Sequence, residues 1–107
     1  MIVRTWRGAT RAADAPAYAE YIRSTGIAEY EATPGNRGTL MLHHIDGERA
    51  EFLILSWWES LDAIRGFAGD DIATAVFYPE DDAFLIERDL AAQHWEIDSS
   101  SVRARQD

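Results

Sequence analysis

Three histidines, four tryptophans and a set of arginines are the residues through which this chain can do chemistry. His94 is the first candidate for a general base, because imidazole titrates nearest neutrality and transfers protons readily there. Its alternation partners Ala92 and Glu96 share its face of an extended segment, and Glu96 is placed to orient the ring. The competing reading is a packed or interface histidine. Adjacent residues on a strand point to opposite faces, so of His43 and His44 at most one, taken as His43, enters a pocket, and the pair does not chelate one metal. Trp6 and Trp58 are candidates for lining a flat aromatic cavity; central-strand tryptophans also serve as core or interface anchors. Arg4 shares the parity of Trp6 and offers a cation for an oxyanion if it points inward, or a cross-strand ion pair if it does not. Tyr78 and Asn36 fall in loop-like segments, where their donors can meet a ligand or cap local backbone. The run Glu80-Asp81-Asp82 follows Pro79 at a helix start, where acidic groups complement the helix dipole.

Composition narrows the chemistry. The chain has 107 residues, no cysteine and no lysine, with 19 acidic residues against ten arginines. Thiolate catalysis, disulfides, sulfur-ligated metals and Schiff-base chemistry are therefore excluded. A net charge of −9 repels a phosphate backbone, so nucleic acid is not an expected partner. No apolar run is long enough to span a bilayer and no basic region precedes one at the N-terminus, which gives the expectation of a cytoplasmic protein without membrane partners. The arginine-for-lysine bias and abundant alanine fit a GC-rich bacterial genome. The length suits one domain, expected over residues 1–97, with 98–107 as a disordered tail of serines and charges.

The elements that must hold these residues follow from periodicity. Ile2 to Arg7 alternates and reads as a strand ending at Gly8. Asp14 and Pro16 open a helix carrying Tyr18, Tyr21, Ile22 and Thr25, with Gly26 as its stop and a further helical turn around Ile27 and Tyr30. Pro34-Gly35-Asn36 breaks the chain, and Asp46-Gly47 joins two strands, Gly38 to Ile45 and Arg49 to Trp58, as a hairpin. Ser60 caps a helix bearing Leu61, Ile64 and Phe67, ended by Gly69. A further short helix is expected from Asp70 or Asp71 through Phe77, a helical turn with Phe84 and Leu85 after Pro79, and a last strand from Ala92 to Ile97.

The order β, α, β, β, α, β predicts an α+β ferredoxin-like domain, a four-stranded antiparallel sheet with helices on one face. Phe52 to Trp58 is apolar at both parities, so both faces of the third strand call for cover. The helices cover one, and a second copy packed sheet to sheet would cover the other, giving a homodimeric α+β barrel; the alternative is a monomer whose C-terminal segment folds over the open face.

With these elements in place the chain resembles the antibiotic biosynthesis monooxygenase-like family, in an uncharacterised bacterial branch, over residues 1 to about 97. The segments that carry the likeness are Arg4-Thr5-Trp6, Thr25-Gly26-Ile27, Ala32 to Asn36, Trp58-Glu59-Ser60, Tyr78 to Asp82 and His94-Trp95-Glu96. The resemblance implies a pocket between helices and sheet in each protomer. It also implies, for some members, oxygenation of phenolic or anthrone-like substrates without metal or flavin: a base removes a proton, and oxygen reacts with the enolate. Such chemistry asks for a dry aromatic cavity, a base and an anion stabiliser. The expectation is a cofactor-independent monooxygenase on an aromatic or polyketide-like small molecule, with His94 and Arg4 catalytic, and Trp6, Trp58, Tyr78, Asn36 and His43 binding substrate. The alternatives are a cyclase or isomerase using the same pocket, or a non-catalytic small-molecule-binding or structural homodimer. Haem-degrading relatives use an asparagine on the first strand and a helical histidine, neither of which the sequence supplies.

Overall fold

The computed structural model describes residues 1–102, and the framework within it is one antiparallel sheet with helices on a single face. Strand β1 (Ile2–Arg11) lies between β3 (Arg49–Trp58) and two short segments, β4 (Leu85–Arg88) and β5 (Gln93–Glu96). The hairpin partner β2 (Asn36–Asp46) forms the far edge. β5 pairs with residues 2–5 of β1 and β4 with residues 8–10, so the expected fourth strand position is filled end to end by two pieces. Strands β1 and β3 are central, as the ferredoxin-like order requires.

The register fixes which side chains share a face. Trp58, Ser56, Ile54, Phe52 and Ala50 alternate inward on β3 and all are buried, whereas their odd-numbered neighbours are half-exposed. Opposite them on β1 stand Ile2, Arg4, Trp6, Gly8 and Thr10. This helix-facing side packs on Tyr18 and Ile22 of α1 (Ala15–Ile22), Tyr30 of α2 (Ala28–Ala32) and Ile64 of α3 (Leu61–Ala68), and together they make the core. The expected hairpin forms with its two turn residues one place on, at Gly47 and Glu48: Asp46 is still in the strand and pairs with Arg49, and Gly47 takes the positive φ of 62° that a two-residue turn needs. Ser60 caps α3 by accepting from the Ala63 N–H at 3.1 Å.

Four local expectations are corrected. Strand β1 does not end at Gly8 but runs to Arg11. Gly8 is a strand residue because the Trp6 indole lies across it; a Cβ there would sit 2.5 Å from Trp6 Cη2. Gly26 does not stop the first helix either. The helical path continues through a π turn, Arg23–Ile27, into α2, while the Ser24 and Thr25 hydroxyls donate to the Tyr21 carbonyl at 3.0 and 2.8 Å. Asp14 precedes α1 without a side-chain capping bond. The helix expected through Phe77 is absent, because its backbone is bonded elsewhere: Ala75 N–H donates to Leu90, Ala92 N–H to Ala73, and Arg4 takes the Ile72 and Thr74 carbonyls. After Pro79 a single turn, α4 (Asp81–Phe84), leads straight into β4. The tail expected at 98–107 shows no regular structure over 98–102, and the remainder lies outside the described residues.

Candidate functional site

Arg4 is 2% exposed, with its guanidinium under the helices and against the irregular segment that follows α3. Nη1 donates to the Ile72 carbonyl at 2.5 Å and Nη2 to the Thr74 carbonyl at 3.3 Å. The β1:β5 register sets His94 directly opposite, and Nη1 reaches its Nε2 at 2.9 Å. The guanidinium carbon stands 5.7 Å from the Phe67 ring centroid. No ion pair joins Arg4 to a carboxylate among the described residues, and its buried Nε has no partner. Guanidinium does not deprotonate in proteins, so this is a buried cation held by neutral acceptors alone. Burying such a charge without an anion is costly.

Arg4 forms one wall of a cleft between sheet and helices. Trp6 and Ile54 add to its floor; Tyr18, Ile27 and Tyr30 come from the helical run, Phe67 from α3, and Phe77, Tyr78 and Asp81 from the segment beyond. The cavity volume is about 30 Å³, room for one water, so a larger guest must displace the walls. The wall with the least regular structure is residues 75–78. Trp6 is held by its indole N–H donating to the Asp89 carbonyl at 2.8 Å, and Tyr78 by its hydroxyl donating to Glu29 at 2.6 Å. That carboxylate and burial both hold the Tyr78 phenol protonated, burial being the larger effect.

Asp81 is 3% exposed. Its Oδ2 accepts the Tyr78 N–H at 2.6 Å, while Oδ1 has no partner. Burial raises its pKa above the ordinary carboxylate value, against the lowering effects of the Tyr78 N–H and of Arg88. The Tyr18 hydroxyl, fully buried and also unpartnered, has its own pKa raised by burial and then by the Asp81 charge. Arg4 Nε, Tyr18 Oη and Asp81 Oδ1, three unsatisfied buried polar atoms, thus belong to residues of one cleft. Tyr18 packs edge-on to Phe52, the partner of Gly8 on β1.

Of the residues singled out in the sequence, the fold brings Arg4, Trp6 and Tyr78 together in the cleft wall. His94 stands behind Arg4 and is not part of that wall. Arginine only donates, so His94 Nε2 must accept and the ring is neutral with its proton on Nδ1. Burial, and after it the Arg4 charge, lowers its pKa. Glu96 is exposed and does not orient it by any bond among the described residues. Trp58 is core: it is fully buried, and its indole donates to Ser56 Oγ at 2.8 Å. Asn36 begins β2, its Oδ1 accepting from the Gly38 N–H. His43 is exposed at the β2 edge, its ring 5.8 Å from Phe52. No three His, Asp or Glu side chains gather as a metal site among the described residues. Asp81 and Tyr18 were not singled out as site residues. A signal existed in the spacing of Asp81 and Phe84, which puts the acid on the apolar face of its helical turn.

No protein-family model matches the chain, and no curated protein matches it. Solved structures do. A Bacillus cereus protein assigned as an antibiotic biosynthesis monooxygenase superposes with a TM-score of 0.66 at 17% identity, over 95% of this chain and 97% of that one. SnoaB, a cofactor-independent oxygenase from Streptomyces nogalater, gives 0.63 at 18% over 95% and 97%. The heme-degrader MhuD from Mycobacterium tuberculosis, with two hemes in its active site, gives 0.61 at 19% over 95% and 100%. At such identities the likeness is one of fold: this chain is built on the ferredoxin-like α+β framework of the antibiotic biosynthesis monooxygenase-like structures.

Proposed function

We propose that the protein is a cofactor-independent oxygenase of an electron-rich aromatic or polyketide-like molecule, bound as its enolate or phenolate with the oxyanion at Arg4. One observation carries this reading: a buried arginine without a carboxylate, an Nε–H unused, in the wall of an aromatic cleft. A cation already desolvated and fixed by two carbonyls and a neutral imidazole needs little reorganisation to meet charge that develops on a substrate oxygen. Trp6, Phe67 and Phe77 supply apolar faces for fused rings and exclude water from the anion. The shared framework with SnoaB, described as a cofactor-independent oxygenase, supports the reading. Haem does not fit this cleft. Its walls carry neither histidine nor methionine, and the chain's three histidines lie on β2 and β5 rather than on a helix. We also propose that two copies pair through the open faces of their sheets, where Leu40, Leu42 and Trp95 are exposed beside half-buried Val3, Leu55 and Trp57.

The test follows oxygen uptake with a hydroxyanthrone, aerobically and under argon, in the wild type and in Arg4→Met and Arg4→Lys. Oxygen-dependent turnover should fall by about 10²–10³ in Arg4→Met, the usual effect of removing an oxyanion donor. Arg4→Lys should recover part of it through charge alone. No turnover by the wild type across a panel of phenols and anthrones, with binding retained, would move the protein to a small-molecule-binding dimer.

A further inference from the structure

We infer that Asp81 is the general base of this cleft, the group whose Oδ1 takes the substrate proton, while His94 positions Arg4. The inference rests on the proposed anion chemistry and names its missing half. The base has to sit in the cleft with a lone pair free, and among the cleft's residues Asp81 meets that condition: it is 3% exposed, Oδ2 is anchored by the Tyr78 N–H at 2.6 Å, and Oδ1 has no partner. An anchored carboxylate with one free oxygen is a base of fixed direction. His94 fails the same condition, because its Nε2 is occupied by the Arg4 Nη1 donor and the ring lies behind the guanidinium. Its environment also works against it, burial and the neighbouring cation both lowering its basicity, whereas burial raises that of Asp81. The charged and titratable groups facing Asp81 are Tyr18 from α1, Tyr78 from the segment before its turn, Arg88 from β4 and Asp82 of its own turn. In the step proposed, a substrate C–H proton passes to Asp81 Oδ1. The C–H electron pair stays on the substrate and delocalises onto its oxygen, at Arg4, and no redox change occurs until oxygen reacts with that enolate.

Proton abstraction can be read without oxygenation. The folded protein is incubated under argon in deuterated buffer with 1,8-dihydroxyanthrone, and deuterium entering the anthrone methylene is followed by mass spectrometry, beside aerobic oxygen uptake. Wild type should accelerate exchange over buffer. Asp81→Asn, which keeps the oxygen that accepts the Tyr78 N–H, should lose about 10²-fold of that acceleration. Asp81→Glu should recover part of it, and the acidic limb of the wild-type exchange profile should vanish in Asp81→Asn. His94→Gln keeps an acceptor for Arg4 and should lower the exchange only modestly, leaving the acidic limb of the profile in place. Exchange undiminished in Asp81→Asn but lost in His94→Gln overturns the assignment and puts the base at His94. Asp81-dependent exchange without oxygen uptake upholds Asp81 and overturns the oxygenase reading in favour of an isomerase or cyclase. Oxygen uptake indifferent to Asp81 does the reverse, and a wild type that neither exchanges nor consumes oxygen overturns both.

Discussion

At the scale of single residues, His94 and Asp81 have pKa values displaced in opposite directions, and the signs give separate predictions. The folded pKa of His94 is lowered, so below about pH 6.5 the unfolded chain takes up its proton before the folded one does. The unfolded state then binds more protons, and stability is lost as pH falls from there towards the folded pKa. Denaturant melts at pH 7.5 and 5.5 should show the wild type losing more stability than His94→Gln. An equal loss in both would mean that His94 accepts nothing from Arg4. Asp81 runs the other way. Its raised pKa means that the folded state holds the proton longer than the unfolded one, so its contribution falls as pH rises from about 4 through the folded value. Asp81→Asn should therefore raise Tm at pH 7, by ~2–4 °C in calorimetry, the usual sign of an acid kept for function. A lowered Tm would make Asp81 a structural cap. Sequence order placed Arg4 on the same parity as Trp6, but whether that parity met the helices or solvent depends on long-range register. Asp81 stayed hidden because helix-dipole complementarity already accounted for an acid after Pro79.

Among the elements, two glycines mistaken for punctuation do different work. Gly8 ends nothing; it is the gap in β1 over which the Trp6 indole lies, so its absent Cβ shapes the cleft floor. Gly8→Ala should destabilise by about 1–3 kcal/mol through overpacking and shift the tryptophan emission, as Trp6 must leave its place. Gly26 sits in the π turn with a negative φ, and a Cβ there would meet Tyr78 at an ordinary 3.7 Å. Gly26→Ala should stabilise by roughly 0.5–1 kcal/mol, the propensity gain of alanine within a helix. If the two substitutions behaved alike in urea melts, the packing of Trp6 over Gly8 would be wrong. Residue types alone could not separate them: glycine reads as a breaker in both places, and what distinguishes them is a neighbour on the same face in one case and a hydroxyl-supported π turn in the other. The hairpin and the Ser60-capped helix were legible because their signals are local. The stretch from Gly69 to Pro79 was not, since its Ile72 and Thr74 carbonyls accept from Arg4, its Ala73 carbonyl accepts from the Ala92 N–H and its Ala75 N–H donates to Leu90, contacts that no local pattern carries.

Across the whole molecule the sheet divides the chain's apolar residues between two jobs. The even positions of β3 bury against helices, and the odd ones, Leu53, Leu55 and Trp57, join Val3, Leu40, Leu42 and Trp95 on a face that no helix among the described residues covers. The double parity of Phe52 to Trp58 is what made this legible from sequence: a strand apolar on both faces predicts cover on both. On an open antiparallel sheet such a patch is free to bind its own kind, because a two-fold axis brings identical surfaces together without any further sequence. Leu55 is a discriminating probe, being level with Thr5 and Leu40 in mid-sheet yet half-exposed, so that a charge there can reach solvent in a monomer but not between two sheets. Leu55→Glu should weaken association by at least ~100-fold, since two symmetry-related carboxylates would be buried without partners. Light scattering at micromolar concentration should return twice the 12.1 kDa chain mass for the wild type and the single mass for the variant, with unchanged circular dichroism. A wild type monomeric at high concentration would leave the patch to another partner. A Leu55→Glu variant that remained dimeric would place the interface elsewhere, and because the cleft lies on the opposite side of the sheet, Arg4 and Asp81 would keep their geometry in either case.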